Sequence, residues 1–94
     1  MELAPSTQFK KDLQKAKTKQ NPKWKEDAFA CVIKSLLNGT PLEAQYKDHQ
    51  LKGEHIGKRS CHISNDNVLI YEKDTARQRI YLVRLGTHSE LYKS

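Results

Sequence analysis

Two cysteines, Cys31 and Cys61, are all this chain offers for covalent cross-linking, so it can hold one disulfide at most. No basic segment leads into an apolar run of the kind a secretory signal requires, so no export signal is expected. No stretch approaches the roughly 18 consecutive apolar residues of a membrane span, so no membrane partner is expected either. A reduced protein of the cytoplasm is the simplest reading. Internal repeats and low-complexity linkers are missing. So is metal-site spacing: there is no Cys-x-x-Cys and no His-x-x-x-His on a helical segment.

Acidic side chains are scarce at the front of the chain. Residues 1–25 carry lysines at 10, 11, 15, 17, 19, 23 and 25 against only Glu2 and Asp12. The net charge of +6 is therefore mostly one basic segment, and on charge alone it suits nucleic acid, an acidic protein or a membrane surface. Ninety-four residues with 36% apolar content suffice for one domain over 1–94 and not for two.

Ser6 or Thr7 precedes a periodic segment in which Phe9, Leu13 and Ala16 form one apolar stripe. This first helix should end at Asn21-Pro22, because a residue before proline is pushed out of helical geometry. Pro22 then suits the first turn of a second helix, with Trp24, Ala28, Cys31, Val32, Ser35 and Leu36 on one face. "NGTP" closes it, Gly39 supplying a left-handed cap and Pro41 forbidding continuation.

After a polar loop the period changes to two. "GKRSCHIS" sets Arg59, Cys61 and Ile63 against Ser60, His62 and Ser64. "NDN" turns the chain into "VLIYEK", and residues 57–73 read as a hairpin. "QRIYLVRLG" opposes Tyr81, Val83 and Leu85 to Ile80, Leu82 and Arg84, apolar enough on both faces for a central strand. A strand at Glu2–Ala4 is weakly signalled, and "THSELYKS" reads as a short capped turn. The expected class is α+β, two N-terminal helices packed on one face of a mainly antiparallel sheet. The opposite face would carry His62 or Arg84 among small polar groups.

Four histidines, His49, His55, His62 and His88, lie in the second half. They can be unrelated surface residues. A zinc site is disfavoured by spacing, and by alternation that sends Cys61 and His62 to opposite faces. Acid–base chemistry is the third reading, since imidazole exchanges protons near neutral pH. Two histidines and fixed cations suffice to cut RNA: one group deprotonates the ribose 2′-OH, another protonates the departing 5′-oxygen, and cations stabilise the phosphorane-like transition state. No metal or other cofactor is required. The basic helices, with Lys10 and Lys11, and the loop lysines Lys52 and Lys58 would hold the phosphate backbone. Arg84, on a central strand, should be either paired or lining a site. Cys61 should be buried and inert. Trp24 should fill the core rather than stack on bases.

"YKDHQLKG", "RSCHISND", "VLIYEKD" and "RLGTHSELY" together resemble the YafQ branch of the RelE/ParE toxin superfamily, bacterial toxins of type II toxin–antitoxin systems that cut mRNA on the ribosome. The resemblance implies a RelE-like fold and an endoribonuclease acting on mRNA in the ribosomal A site. It also implies a cognate antitoxin with an acidic toxin-binding segment. It assigns His49 a catalytic part, makes His62 and Asp66 a catalytic pair, and makes His88 the C-terminal catalytic histidine. Tyr92 stands where an aromatic sits, and Arg59 and Arg84 match positions that face the RNA phosphate. His55 matches no motif. Asn67 occupies a position that can be tryptophan, which puts base stacking there in doubt. The alternative on the same fold is a ParE-like inhibitor of DNA gyrase that acts by protein binding, and a zinc-dependent nucleic-acid module is a third possibility.

Overall fold

The strand Arg79–Gly86 lies inside the sheet, with a neighbour on either side. A computed structural model describes residues 1–19, 24–53, 56–64 and 66–91, without the Lys19 side chain. In chain order the elements are β1 (Glu2–Pro5), α1 (Thr7–Lys19), α2 (Glu26–Asn38), a 3-10 turn (Ala44–Tyr46), β2 (His49–Gln50), β3 (Arg59–His62), β4 (Val68–Asp74), β5 (Arg79–Gly86) and α3 (His88–Leu91). The strands form one sheet in the order β1-β5-β4-β3-β2. All neighbours are antiparallel except β1 and β5. The expected α+β class is the observed one.

The weakly signalled N-terminal strand exists because its backbone pairs with β5, Leu3 opposite Ile80 and Pro5 opposite Leu82. Its proline sits at the strand's end, where the missing N–H costs no ladder bond. Ser6 then caps α1: its hydroxyl accepts the Phe9 N–H at 2.9 Å and donates to the Val83 carbonyl at 2.8 Å.

Phe9 and Ala16 of α1 and Val32 and Leu36 of α2 share one core with Cys61, Ile63, Leu69, Tyr71, Ile80, Leu82 and Leu85. Both helices therefore cover the same sheet face. Trp24 packs on this core against Phe29, with ring centroids 5.1 Å apart. As expected, it fills space beside the helices. α2 starts later than proline spacing suggested. Lys25 is still extended, and the helix begins at Glu26, with Asp27 adding a second negative charge at its positive end. Cys31 is exposed rather than on the buried stripe, because Val32 and Leu36 define that stripe without it. Gly39 does supply the left-handed cap (φ 73°), its N–H reaching Leu36 while Thr40 reaches Ser35. The end of α1 at Asn21-Pro22 lies outside the described residues.

Strict alternation fails in β5. Ile70 pairs with Arg84 and Tyr71 with Leu82, so Val83 is an extra residue, a β-bulge. Leu82 and Leu85 consequently both enter the main core, while Val83 packs with Val68, Ile70 and Leu91 on the opposite face. Arg84 does not share a face with Leu82. The opposite face is also less polar than expected, because Leu51 and Leu91 cover Val68 and Ile70 at its centre.

Beyond Pro5, β1 no longer covers the edge of β5, and a carboxylate takes its place. Asp12 of α1, buried, accepts the Leu85 N–H at 3.0 Å and the Arg84 Nε at 2.9 Å. Burial pushes this carboxyl up, but the bonds from Arg84, Leu85 and Gln8 outweigh it, and its pKa is lowered. The folded value lies below the unfolded one. The stabilisation is therefore complete above the ordinary 3.8 and is lost as pH falls through the folded value. Asp12→Ala should cost about 2 to 3 kcal/mol in urea unfolding at neutral pH, and Asp12→Asn should blunt the stability loss on acidification. A change under about 0.5 kcal/mol would mean that the carboxylate does not hold this edge.

Candidate active site

The sheet register brings two histidines together that stand 26 positions apart in the chain. His62 ends β3 and lies opposite Val68, and Val68 lies opposite Gly86. Two residues past Gly86, His88 opens α3. The His62 and His88 rings meet with centroids 4.9 Å apart and planes tilted by 52°. His49 opens β2 opposite Ser60, two residues along β3 from His62 and therefore on the same face.

α3 is one turn long, so its position depends on its ties. Thr87 and Glu90 form a capping box: Thr87 N–H reaches Glu90 Oε1 at 2.9 Å, and Glu90 N–H reaches Thr87 Oγ1 at 3.2 Å. The other Glu90 oxygen takes the Lys15 ammonium of α1 at 2.7 Å. Lys15, then the Thr87 N–H, holds the Glu90 carboxyl below its ordinary pKa. Leu91 is buried against Val68 and Ile70. Gly86 permits this approach, since a Cβ there would stand 2.9 Å from Glu90 Oε1.

On the other side of His62, the chain leaves the 3-10 turn through Lys47, a non-glycine residue in the left-handed region (φ 49°). Its carbonyl lies 2.7 Å from His49 Nδ1. A carbonyl only accepts, so Nδ1 carries the proton and Nε2 is the free acceptor in the neutral ring. Asp48, between them, anchors the segment by accepting the Tyr71 hydroxyl and two nitrogens of Arg59, the nearest at 2.9 Å. Burial, then this carboxylate, raises the Tyr71 pKa.

Burial lowers the His62 pKa below the ordinary 6.5, and the charges of His88, Lys47 and His49 lower it further. At neutral pH this imidazole is a base with an available lone pair. Burial pushes the Cys61 thiol up to about 12, leaving it protonated and inert on the core side of the same strand.

Of the expected site residues, His49, His62 and His88 converge. Arg59 and Arg84 do not stand as open cations: Arg59 grips Asp48 and Arg84 grips Asp12. Asp66 is exposed in the β3–β4 turn. Asn67 is buried in that turn, its side-chain amide on Ser64, so it presents no stacking surface. Lys10, Lys11 and Lys52 are exposed and Lys58 is half-buried. Tyr92 and His55 lie outside the described residues. Among the described residues no group of three potential ligands is placed to hold a metal ion. Lys47, Asp48 and Tyr71 were missed. "YKDH" held the first two in plain view, but only the fold shows what each faces.

A direct test of the ring contact is the His62 titration followed by NMR. His88→Ala removes the influence of the facing ring and part of the burial, so the His62 pKa should rise toward 6.5. An unmoved titration would show that the rings do not meet in solution.

A family model described as the bacterial toxin of type II toxin–antitoxin systems, YafQ, matches residues 1–93. A putative toxin YafQ of Haemophilus influenzae is 38% identical over 92 residues, covering 96% of this chain and 90% of the relative. The mRNA interferase toxin YafQ of Escherichia coli is 35% identical over 88 residues, covering 93% and 90%. Crystal structures of Escherichia coli YafQ superpose on this fold with a TM-score of 0.84 for the toxin and 0.82 for its complex with DinJ. Both are 32% identical and cover 97% of either chain.

Proposed function

The chain belongs to the YafQ family of bacterial toxins of type II toxin–antitoxin systems, and from that premise we propose that it is an endoribonuclease that cuts mRNA on the ribosome by metal-independent acid–base catalysis. The observation that carries the mechanism is the His62–His88 contact. One phosphate lying across the two rings would meet a nitrogen near each apical oxygen. His62, kept neutral, takes the proton from the ribose 2′-OH, which attacks the adjacent phosphorus. His88 gives a proton to the departing 5′-oxygen. The P–O5′ bond breaks, leaving a 2′,3′-cyclic phosphate and a free 5′-hydroxyl.

His49, through Nε2, stands as a second proton-transfer group on the same face. Arg59 and Arg84 act on the RNA phosphate only with the part of their charge that Asp48 and Asp12 leave unscreened. Asp66 and Tyr92 enter the same reaction as family positions. Lys10, Lys11, Lys52 and Lys58 contribute to backbone affinity. The enzyme works in the cytoplasm, where ribosomes are.

Its protein partner is a cognate antitoxin with an acidic binding segment, complementary to the +6 charge. Escherichia coli YafQ, solved as a complex with DinJ, is the precedent. Inhibition of gyrase by protein binding, the alternative on this fold, gives the histidine cluster nothing to do.

His88→Ala should lower cleavage of ribosome-bound message by roughly 100-fold or more and relieve growth arrest while leaving antitoxin binding intact. Message carrying a 2′-deoxy nucleotide at the cut position should resist the wild-type protein. Cleavage by His88→Ala at the wild-type rate would overturn the assignment, and supercoiling inhibition without RNA cleavage would favour the gyrase reading.

A further inference from the structure

Beside His62 the surface opens into a cavity of about 270 Å³ between the start of α2, the 3-10 turn and the end of β3. Its lining includes Lys25, Gln45, Tyr46, Lys47, His62 and Ser64, with Ala28 and Ile63 as the apolar members. Among the described residues none that lines it is acidic. That distinguishes it from the smaller recess under α3, which Asp12 and Glu90 line. It also separates Lys25 and Lys47 from the two arginines, each of which already holds a carboxylate. Among the described residues no ion pair occupies either lysine, and both are exposed. Lys47 is further singled out by its backbone. A left-handed lysine costs of order 1 kcal/mol, and here it is held by the bond between its carbonyl and His49 and by Asp48 next to it.

We propose that this cavity is the subsite for the nucleotide next to the scissile phosphate. Lys47 and Lys25 are its phosphate-binding cations, and Gln45 is the side chain that meets the base. The inference rests on the ribonuclease reading and deepens it. Two ammonium groups that form no ion pair among the described residues line a cleft that shares a wall with the proposed base, and a polyanion lying over His62 has its next charge there. Gln45 offers one donor and one acceptor together, the pairing that reads an adenine edge. Tyr46 is buried and forms the floor. Lys47 also helps depress the His62 pKa, beside burial and the charges of His88 and His49, so the same ammonium that grips phosphate keeps the base unprotonated.

The test uses the full chain and a single-stranded RNA oligonucleotide with a 2′-O-methyl group at every ribose, which binds without being cut. Lys47→Gln and Lys25→Gln should each weaken binding roughly ten-fold at low salt and reduce the salt slope by about one. Lys47→Arg should restore binding, and Lys73→Gln, on the exposed side of β4, should change nothing. On ribosome-bound message the Lys→Gln variants should raise KM, Gln45→Ala should alter base preference beside the cut, and Lys47→Gln should raise the His62 pKa by NMR. Unchanged oligonucleotide binding and KM in both lysine variants, with His88→Ala inactive, would overturn the subsite and leave the ribonuclease standing. A wild-type protein that cuts no message would overturn the ribonuclease reading itself.

Discussion

The buried Asp12 carboxylate is the constraint on which the other parts of the fold depend. β1 is only four residues long, so the outer edge of β5 would present unpaired backbone polar groups next to the core from Val83 onward. Ser6 takes the Val83 carbonyl and Asp12 takes the Leu85 N–H, and both belong to the chain that has just left β1. The bulge at Val83 makes this arrangement workable. By inserting one residue it lets Leu82 and Leu85 both enter the core while Arg84 bends back to Asp12. Asp12, one turn before Lys15, fixes the register of α1 on β5. Lys15 then meets Glu90, and Glu90 caps the turn that begins with His88. A histidine near the C-terminus is thus positioned by an aspartate near the N-terminus through two ion pairs and a strand.

The charges are divided by task. The two arginines have the longer reach, yet each is neutralised by a carboxylate with two or three hydrogen bonds, geometry that a guanidinium fork makes and an ammonium does not. Arg59 with Asp48 and Tyr71 fastens the segment that carries His49, and Arg84 with Asp12 fastens the sheet edge. The positive field at the histidine cluster falls instead to a lysine, whose compact charge sits close without demanding a partner. His62 feels that field together with partial burial, and both act in the same direction on its pKa. Cys61, one residue away, feels a deeper burial that makes it chemically silent. Adjacent residues of one strand thus take opposite fates because their side chains point to opposite faces.

The sequence made legible what depends on local rules. Ser6 as a cap, Gly39 as a helix stop, the alternation of β3 and the capped turn at "THSE" are read within four residues and are found in place. Cys61 went to the core and His62 away from it on parity alone. What local rules could not reach was set by distant contacts. The Val83 bulge reverses parity midway along β5, and nothing in "IYLVRLG" announces it; its carbonyl is taken by Ser6, 77 positions earlier. The two-residue β2 has no period to detect; it exists because Asp48 is tied to Arg59 and Tyr71 across the sheet. The resemblance makes both arginines phosphate ligands, and which carboxylate each holds has no local sign, because the partners lie 11 and 72 positions away. Nothing local marks Lys47, since a lysine after a tyrosine in a polar loop has no distinguishing pattern. Its left-handed backbone and its place beside His62 are properties of the assembled sheet, which is why the histidines could be listed from the sequence while the cation that tunes one of them could not.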